Sequence, residues 1–82
     1  MICGGFSEEK KADKISNEVI DNVKDKLQYK VLSIISYKTQ VVNGTNYLIK
    51  CKVDNELNYI IKIHKSLSNE YVILEEELKN VF

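Results

Sequence analysis

The 82-residue chain contains no proline, tryptophan or arginine, one histidine and only two cysteines. Cys3 and Cys51 are too few for the disulfide framework that stabilises small secreted domains. Without arginine, the chain lacks the side chain that most often reads phosphate and guanine in a bidentate manner. No apolar run approaches the roughly 18 residues needed to span a membrane, and charge is reached at Glu8 without a hydrophobic signal core. We therefore expect a cytoplasmic protein without a membrane or nucleic-acid partner.

Charge is balanced overall but unevenly distributed. Twelve lysines offset twelve acidic residues, so the formal net charge is zero at pH 7. Residues 31–65 are richer in lysine and residues 66–82 in acidic residues, yet no basic patch with interleaved aromatic residues stands out. The acidic run at 75–77 is typical of a solvated tail. The charge pattern therefore does not support nucleic-acid binding.

Few side chains could carry chemistry. His64 is the single histidine, and its place on a strand face shared with Lys62 is typical of a solvated residue. Cys3 could pair with it as a nucleophile, but we expect residues 1–6 to form a flexible N-terminal arm, which cannot hold reactive geometry. Two cysteines and one histidine without a CxxC spacing also fall short of a structural zinc site. We therefore expect neither an enzyme nor a bound metal or other cofactor.

An amphipathic helix is predicted after Asp13, which is a plausible N-cap. Apolar residues recur there every four positions and cover an arc of about 140°. They are Ile15, Val19, Val23 and Leu27, with Ile20 beside them.

From Val31 onward the apolar period shortens to two, which is typical of strands with one buried face. Apolar side chains at 49, 51 and 53 alternate with Lys50 and Lys52, those at 59, 61 and 63 alternate with Lys62 and His64, and 71–74 form a further apolar run. Cys51 falls among the core-facing positions, so we expect it to be buried. A helix followed by four strands with hairpin-length gaps predicts an α+β fold, with the helix packed across an antiparallel sheet.

An Asn-Gly pair separates two β-branched runs in the middle of the chain. Asn43 and Gly44 predict a type I′ hairpin turn, because both central residues of that turn need positive φ. Turn chemistry does not explain why Val41 and Val42 lie next to the turn, where loops usually carry small polar residues. The two valines need another explanation.

Three segments carry a combined signal: Met-Ile-Cys-Gly-Gly at 1–5, Tyr-Lys-Thr-Gln-Val-Val-Asn-Gly-Thr-Asn-Tyr at 37–47, and Lys-Ser-Leu at 65–67. Together they resemble the stefins, the single-domain, disulfide-free intracellular branch of the cystatin superfamily. Residues 40–44 satisfy that family's Gln-X-Val-X-Gly motif, with Asn43 where alanine is usual. The resemblance covers nearly all of the chain and implies that residues 1–82 form one cystatin-like domain.

The resemblance implies a helix wrapped by a curved antiparallel sheet of four to five strands, whose short first strand lies around residues 5–7. It also implies reversible, tight-binding inhibition of papain-like, cathepsin-type cysteine proteases. The protease cleft would be blocked by a wedge made of the N-terminal arm and two hairpin loops, and the partner would then cover the two valines. The implied protease-binding residues are Ile2, Cys3, Gly4 and Gly5 in the arm, Gln40, Val41, Val42, Asn43 and Gly44 in the first hairpin, and Leu67 and Ser68 in the second.

One departure from the family pattern lies in the second hairpin, where Ser68 occupies the position of a usual proline. Because proline fixes φ, we expect a freer loop and somewhat weaker binding. An alternative function is that of a cystatin-fold interaction or domain-swapping module without protease inhibition. We expect a monomer, and the sequence leaves open a domain-swapped dimer or one linked through Cys3.

Overall fold

The computed structural model describes residues 5–82. Over these residues, one α-helix packs against an antiparallel five-stranded sheet in which strands adjacent in sequence are neighbours. The predicted α+β fold with a cystatin-like arrangement is therefore confirmed. The elements are β1 (Lys10–Lys11), α1 (Lys14–Val23), β2 (Val31–Val41), β3 (Thr45–Val53), β4 (Leu57–Lys65) and β5 (Tyr71–Glu77).

Helix α1 begins where the sequence predicts. The Asp13 carboxylate accepts hydrogen bonds from the backbone N–H groups of Ile15 and Ser16, at 3.0 and 3.1 Å. The Ser16 hydroxyl oxygen in turn accepts from the Asp13 N–H at 2.9 Å, which completes a reciprocal cap.

The helix ends at Val23, one turn before the expected end at Leu27. Lys24–Lys26 form a 3-10 turn, and Leu27 then adopts an extended backbone while still packing against the core. Ile15 is half exposed, so the buried stripe is centred on Ser16, Val19, Ile20 and Val23 instead. Apolar spacing predicted the helix correctly but not its end, because Leu27 packs against the core from an extended backbone.

The core lies between α1 and the inward face of β2, β3 and β4. Alternate residues of β3 and β4 point into it, as the period of two predicts. Cys51 is fully buried, and this burial raises the pKa of its thiol to about 12. The inward-facing residues of these two strands are Tyr47, Ile49, Cys51, Val53, Tyr59, Ile61 and Ile63.

The acidic run at 75–77 is part of β5, and the prediction that it is a solvated tail is wrong for Glu76. The Tyr59 hydroxyl donates to Glu76 Oε1 at 2.7 Å, and the Gln28 N–H donates to the same oxygen at 3.0 Å. Tyr59 is almost fully buried, so its hydroxyl needs such an acceptor. Glu76 thus joins β4 and β5 to the segment that follows α1.

The first strand was expected around residues 5–7, and the structure places β1 later, at Lys10–Lys11, where it pairs with Tyr37 and Ser36. Ser7 still contacts β2, because its N–H donates to the Thr39 carbonyl at 2.7 Å. The Thr39 N–H, however, is accepted by the Ser7 hydroxyl oxygen at 3.0 Å, so a side chain replaces the backbone acceptor of a regular ladder. Residues 1–4 of the predicted flexible arm lie outside the described residues.

Candidate functional site

Both predicted hairpin loops leave the sheet at the same end. Val41 pairs with Thr45, Thr45 pairs with Lys65, and Lys65 pairs with Tyr71. These four residues form one row across β2, β3, β4 and β5. The loops at 42–44 and 66–70 extend beyond this row and are therefore neighbours at one edge of the domain.

The first loop is one residue longer than the expected two-residue type I′ turn, and a hydrogen bond forms within it. Asn43 and Gly44 have the predicted positive φ, at 39° and 116°. The Val42 N–H, however, donates to the Gly44 carbonyl oxygen at 3.1 Å within the loop. The last paired residues are therefore Val41 and Thr45, and the loop contains three residues instead of two.

Gly44 is the one position of this loop where a side chain has no room. A Cβ atom there would lie 2.5 Å from the carbonyl oxygen of Lys65, closer than real Cβ contacts come. The φ of 116° is also one that residues with a Cβ rarely adopt. The loop conformation therefore depends on glycine for two separate reasons.

Both hairpins expose an apolar side chain at this end of the sheet, Val41 at the end of β2 and Leu67 in the second loop. Val41 and Leu67 each keep 78 % of their surface accessible, whereas Val42 is half-buried. A single exposed apolar residue is common on protein surfaces. Two on neighbouring hairpins at one edge of the sheet form a surface that another molecule could cover.

Ser66 organises the second loop. Its carbonyl oxygen accepts from the Asn69 N–H at 3.0 Å, and its N–H donates to the Glu70 carbonyl at 2.8 Å. Its hydroxyl oxygen accepts from the Glu70 N–H and lies 3.0 Å from the Ser68 hydroxyl oxygen. These contacts restrain the loop in which Ser68 stands in place of proline, and so offset part of the expected freedom.

The segment after the predicted arm is bonded to β2 near the loop end of the sheet. β1 runs antiparallel to β2, and Ser7, which precedes β1, is bonded to Thr39, the residue before Gln40. The Phe6 ring is half-buried, with the Lys62 ammonium 5.8 Å from its centre. Gly5 is exposed, with nothing within 4 Å of a Cβ placed on it. The structure thus brings residues 40–44, Leu67 and Ser68 to one edge. Gly5 makes no described contact with them, and Ile2, Cys3 and Gly4 lie outside the described residues.

The comparison with known proteins gives the family. The model of the cystatin domain matches residues 9–80. The chain belongs to the cystatin family. It is 42 % identical over 82 residues to human Cystatin-A, covering 90 % of this chain and 84 % of that protein. It is 36 % identical over 73 residues to Cystatin-B of the fish Oplegnathus fasciatus, covering 82 % and 73 % of the two chains. It is also 38 % identical over 76 residues to mouse Cystatin-A.

Relatives of the Cystatin-A and Cystatin-B type confirm the predicted resemblance to the stefins. Cystatins are protease inhibitors rather than enzymes, so family membership indicates an inhibitory function and a protease as partner. No helix in the range 5–82 is long and apolar enough to cross a membrane. Within the same range, no group of three or more His, Cys, Asp or Glu side chains is placed to hold a metal ion.

Sequence reasoning missed two residues behind the first loop of this cystatin domain. His64 Nδ1 lies 2.7 Å from Asn46 Oδ1, and Asn46 Nδ2 donates to Gln40 Oε1 at 2.9 Å. His64 is half-buried and bonded, and is not the solvated residue that the sequence predicts. The missing information was the pairing of β3 with β4, which places Asn46 opposite His64.

Proposed function

We propose that this chain is a reversible, tight-binding inhibitor of papain-like, cathepsin-type cysteine proteases, acting as a single domain in the cytoplasm. Family membership supports inhibition of a protease. The observation that carries the finer proposal is the exposure of two apolar side chains, Val41 and Leu67, on neighbouring hairpins at one edge of the sheet. A projecting edge of this kind suits a cleft-shaped target.

The apolar tips supply the binding free energy in this proposal. Burying a valine or leucine side chain stabilises a complex by roughly 1.5–3 kcal/mol. Val41 and Leu67 are largely exposed in the free chain, so this free energy becomes available only when a partner covers them. Because the contact is mainly apolar, we expect inhibition to depend weakly on salt.

The loop backbone explains why the wedge would stay uncleaved. A protease cleaves a carbonyl that reaches its nucleophile in near-attack geometry, with the oxyanion donors in place. In the first loop, the Val42 N–H to Gly44 bond and two successive positive φ values hold the backbone in a turn. A chain held in this turn passes the nucleophile without presenting an extended, cleavable segment.

The arm completes the wedge on the other side of the nucleophile. Support for this comes from Ser7, the residue after the arm, which is bonded to Thr39 near the end of β2. We propose that the apolar side chains of Ile2 and Cys3 fill subsites there, and that Gly4 and Gly5 allow the bend. The proposed protease-binding residues are Ile2, Cys3, Gly4, Gly5, Gln40, Val41, Val42, Asn43, Gly44, Leu67 and Ser68.

The loop tips can be tested with matched charge substitutions. Val41→Asp and Leu67→Asp should each weaken inhibition of papain at least tenfold, because each places a carboxylate where an apolar side chain would be buried. Leu32→Asp is the control: Leu32 is also an exposed apolar residue, but it lies near the opposite end of β2, about 30 Å away. All three variants should keep the wild-type melting temperature.

Two results would contradict the proposal. Equal inhibition by all four proteins would remove the loop tips from the contact. Equal loss in all three variants would show that added negative charge, rather than its position, weakens binding.

A further inference from the structure

Three polar side chains form a row directly behind the first loop. Gln40, Asn46 and His64 are opposite one another on β2, β3 and β4, since Gln40 pairs with Asn46 and Asn46 with His64. Their side chains are joined by contacts of 2.9 and 2.7 Å, and all three are half-buried. The row therefore ties the strand that enters the loop to a strand outside that hairpin.

The direction of these hydrogen bonds fixes one proton on His64. Asn46 donates through Nδ2 to Gln40 Oε1, so its oxygen faces the imidazole. An amide oxygen can only accept a hydrogen bond, so Nδ1 of His64 must carry a hydrogen. The neutral ring is then the Nδ1–H tautomer.

The other edge of the imidazole lies against Gly44, the last residue of the loop. A Cβ placed on Gly44 would be 3.1 Å from His64 Cε1 and 3.2 Å from Nε2. His64 therefore reaches both limbs of the loop. It contacts the entering limb through Asn46 and Gln40, and the leaving limb by packing beside Gly44.

We propose that His64 is a positioning residue for the first loop, which it holds in the conformation that presents Val41 and Val42 to a protease. This inference rests on the proposed inhibitory function and extends it to a residue that does not itself touch the partner. A loop that is ordered before binding loses less conformational entropy on binding. Loss of the support should therefore appear as faster dissociation of the complex.

Three substitutions separate the two contacts of His64. His64→Phe keeps a ring beside Gly44 but removes the donor to Asn46, and His64→Asn keeps a donor near the Nδ1 position but removes the far edge of the ring. His64→Ala removes both. We expect His64→Ala to speed dissociation of the papain complex about tenfold, and each of the other two to recover part of the loss.

Asn58→Ala is the control for these variants. Asn58 is a half-buried polar residue on the same strand and the same face as His64, six positions nearer the other end of the sheet. Its removal should leave the dissociation rate unchanged. If Asn58→Ala matched His64→Ala, the effect would come from general weakening of β4, and the positioning role would be wrong.

A second measurement uses the free chain, without protease. Nitrogen-15 NMR of wild-type His64 should show the Nδ1–H tautomer in the neutral ring. Amide hydrogen exchange at Val42 should be several-fold faster in His64→Ala, while exchange at the core residue Ile61 stays unchanged. The Nε2–H tautomer, or equal exchange at Val42, would overturn the inference.

The two proposals fail in different ways. A wild-type chain that leaves papain fully active removes the proposed function. A wild-type inhibitor whose three His64 variants dissociate at the wild-type rate removes the role of His64 and leaves the function intact.

Discussion

Replacing Gly44 by alanine adds one methyl group at the point where the first loop is most constrained. The new Cβ would meet the Lys65 carbonyl oxygen at 2.5 Å, so the strands must separate by roughly half an ångström to reach a tolerable contact. A residue with a Cβ in the left-handed region costs about 1–2 kcal/mol in addition. Overpacking costs of 1–3 kcal/mol are typical. Together these terms predict a loss of about 2–5 kcal/mol in the free energy of unfolding.

In a domain of this size, 1 kcal/mol corresponds to roughly 4–8 °C in melting temperature, so Gly44→Ala should melt at least about 8 °C lower. Inhibition of papain, measured where circular dichroism shows the variant to be folded, should weaken more than tenfold because the loop is tilted. Gly5→Ala is the control for stability, because its Cβ meets nothing within 4 Å. A Gly44→Ala variant with the wild-type melting temperature would refute the predicted steric strain at Gly44. Wild-type inhibition by the same variant would refute a role of the first loop in protease binding.

Two further predictions concern the role of the N-terminal arm in inhibition and the stability of the domain at alkaline pH. Deleting residues 1–4 should weaken inhibition by about 1–4 kcal/mol, mainly through faster dissociation, with little change in melting temperature; equal inhibition would remove the arm from the wedge. Burial, together with the hydrogen bond to Asp13, raises the pKa of Tyr37 to about 12, above its unfolded value near 10. The stability that this residue contributes is thus complete below pH 10 and is lost as pH rises towards 12, by up to about 1.4 kcal/mol per pH unit. Urea unfolding at successive pH values should show a shallower decline in Tyr37→Phe than in wild type, and equal slopes would contradict the assignment.

Features that depend on neighbouring residues could be predicted from the sequence. The Asp13 cap is formed within three residues, and the positive φ values of Asn43 and Gly44 follow from the residue types at the turn. The buried position of Cys51 follows from alternation along a single strand.

Features that depend on distant partners could not be predicted. Glu76 is held by Tyr59 and Gln28, which are 17 and 48 positions away in the chain. His64 faces Asn46 only because β3 and β4 pair in one register, and a shift by one residue would reverse its face. The alternation of apolar residues shows which face is buried but not which polar residues meet across the sheet.

The candidate site was predictable from the sequence only in part. The resemblance named the residues of both hairpins and of the arm, and the structure places the residues of both hairpins at a single edge. How the second loop is restrained without proline was not apparent from the resemblance, because Ser66 acts through four contacts specific to this loop.

The most direct test of the central claim is a titration of active papain with the wild-type chain, followed by mass spectrometry of the recovered chain. We expect turnover to fall linearly to a low residual rate at about one chain per active site, and the chain to be recovered intact on release from the complex. Full protease activity at a large excess of the chain, or recovery of a chain cut within residues 40–44, would contradict inhibition by an uncleaved wedge.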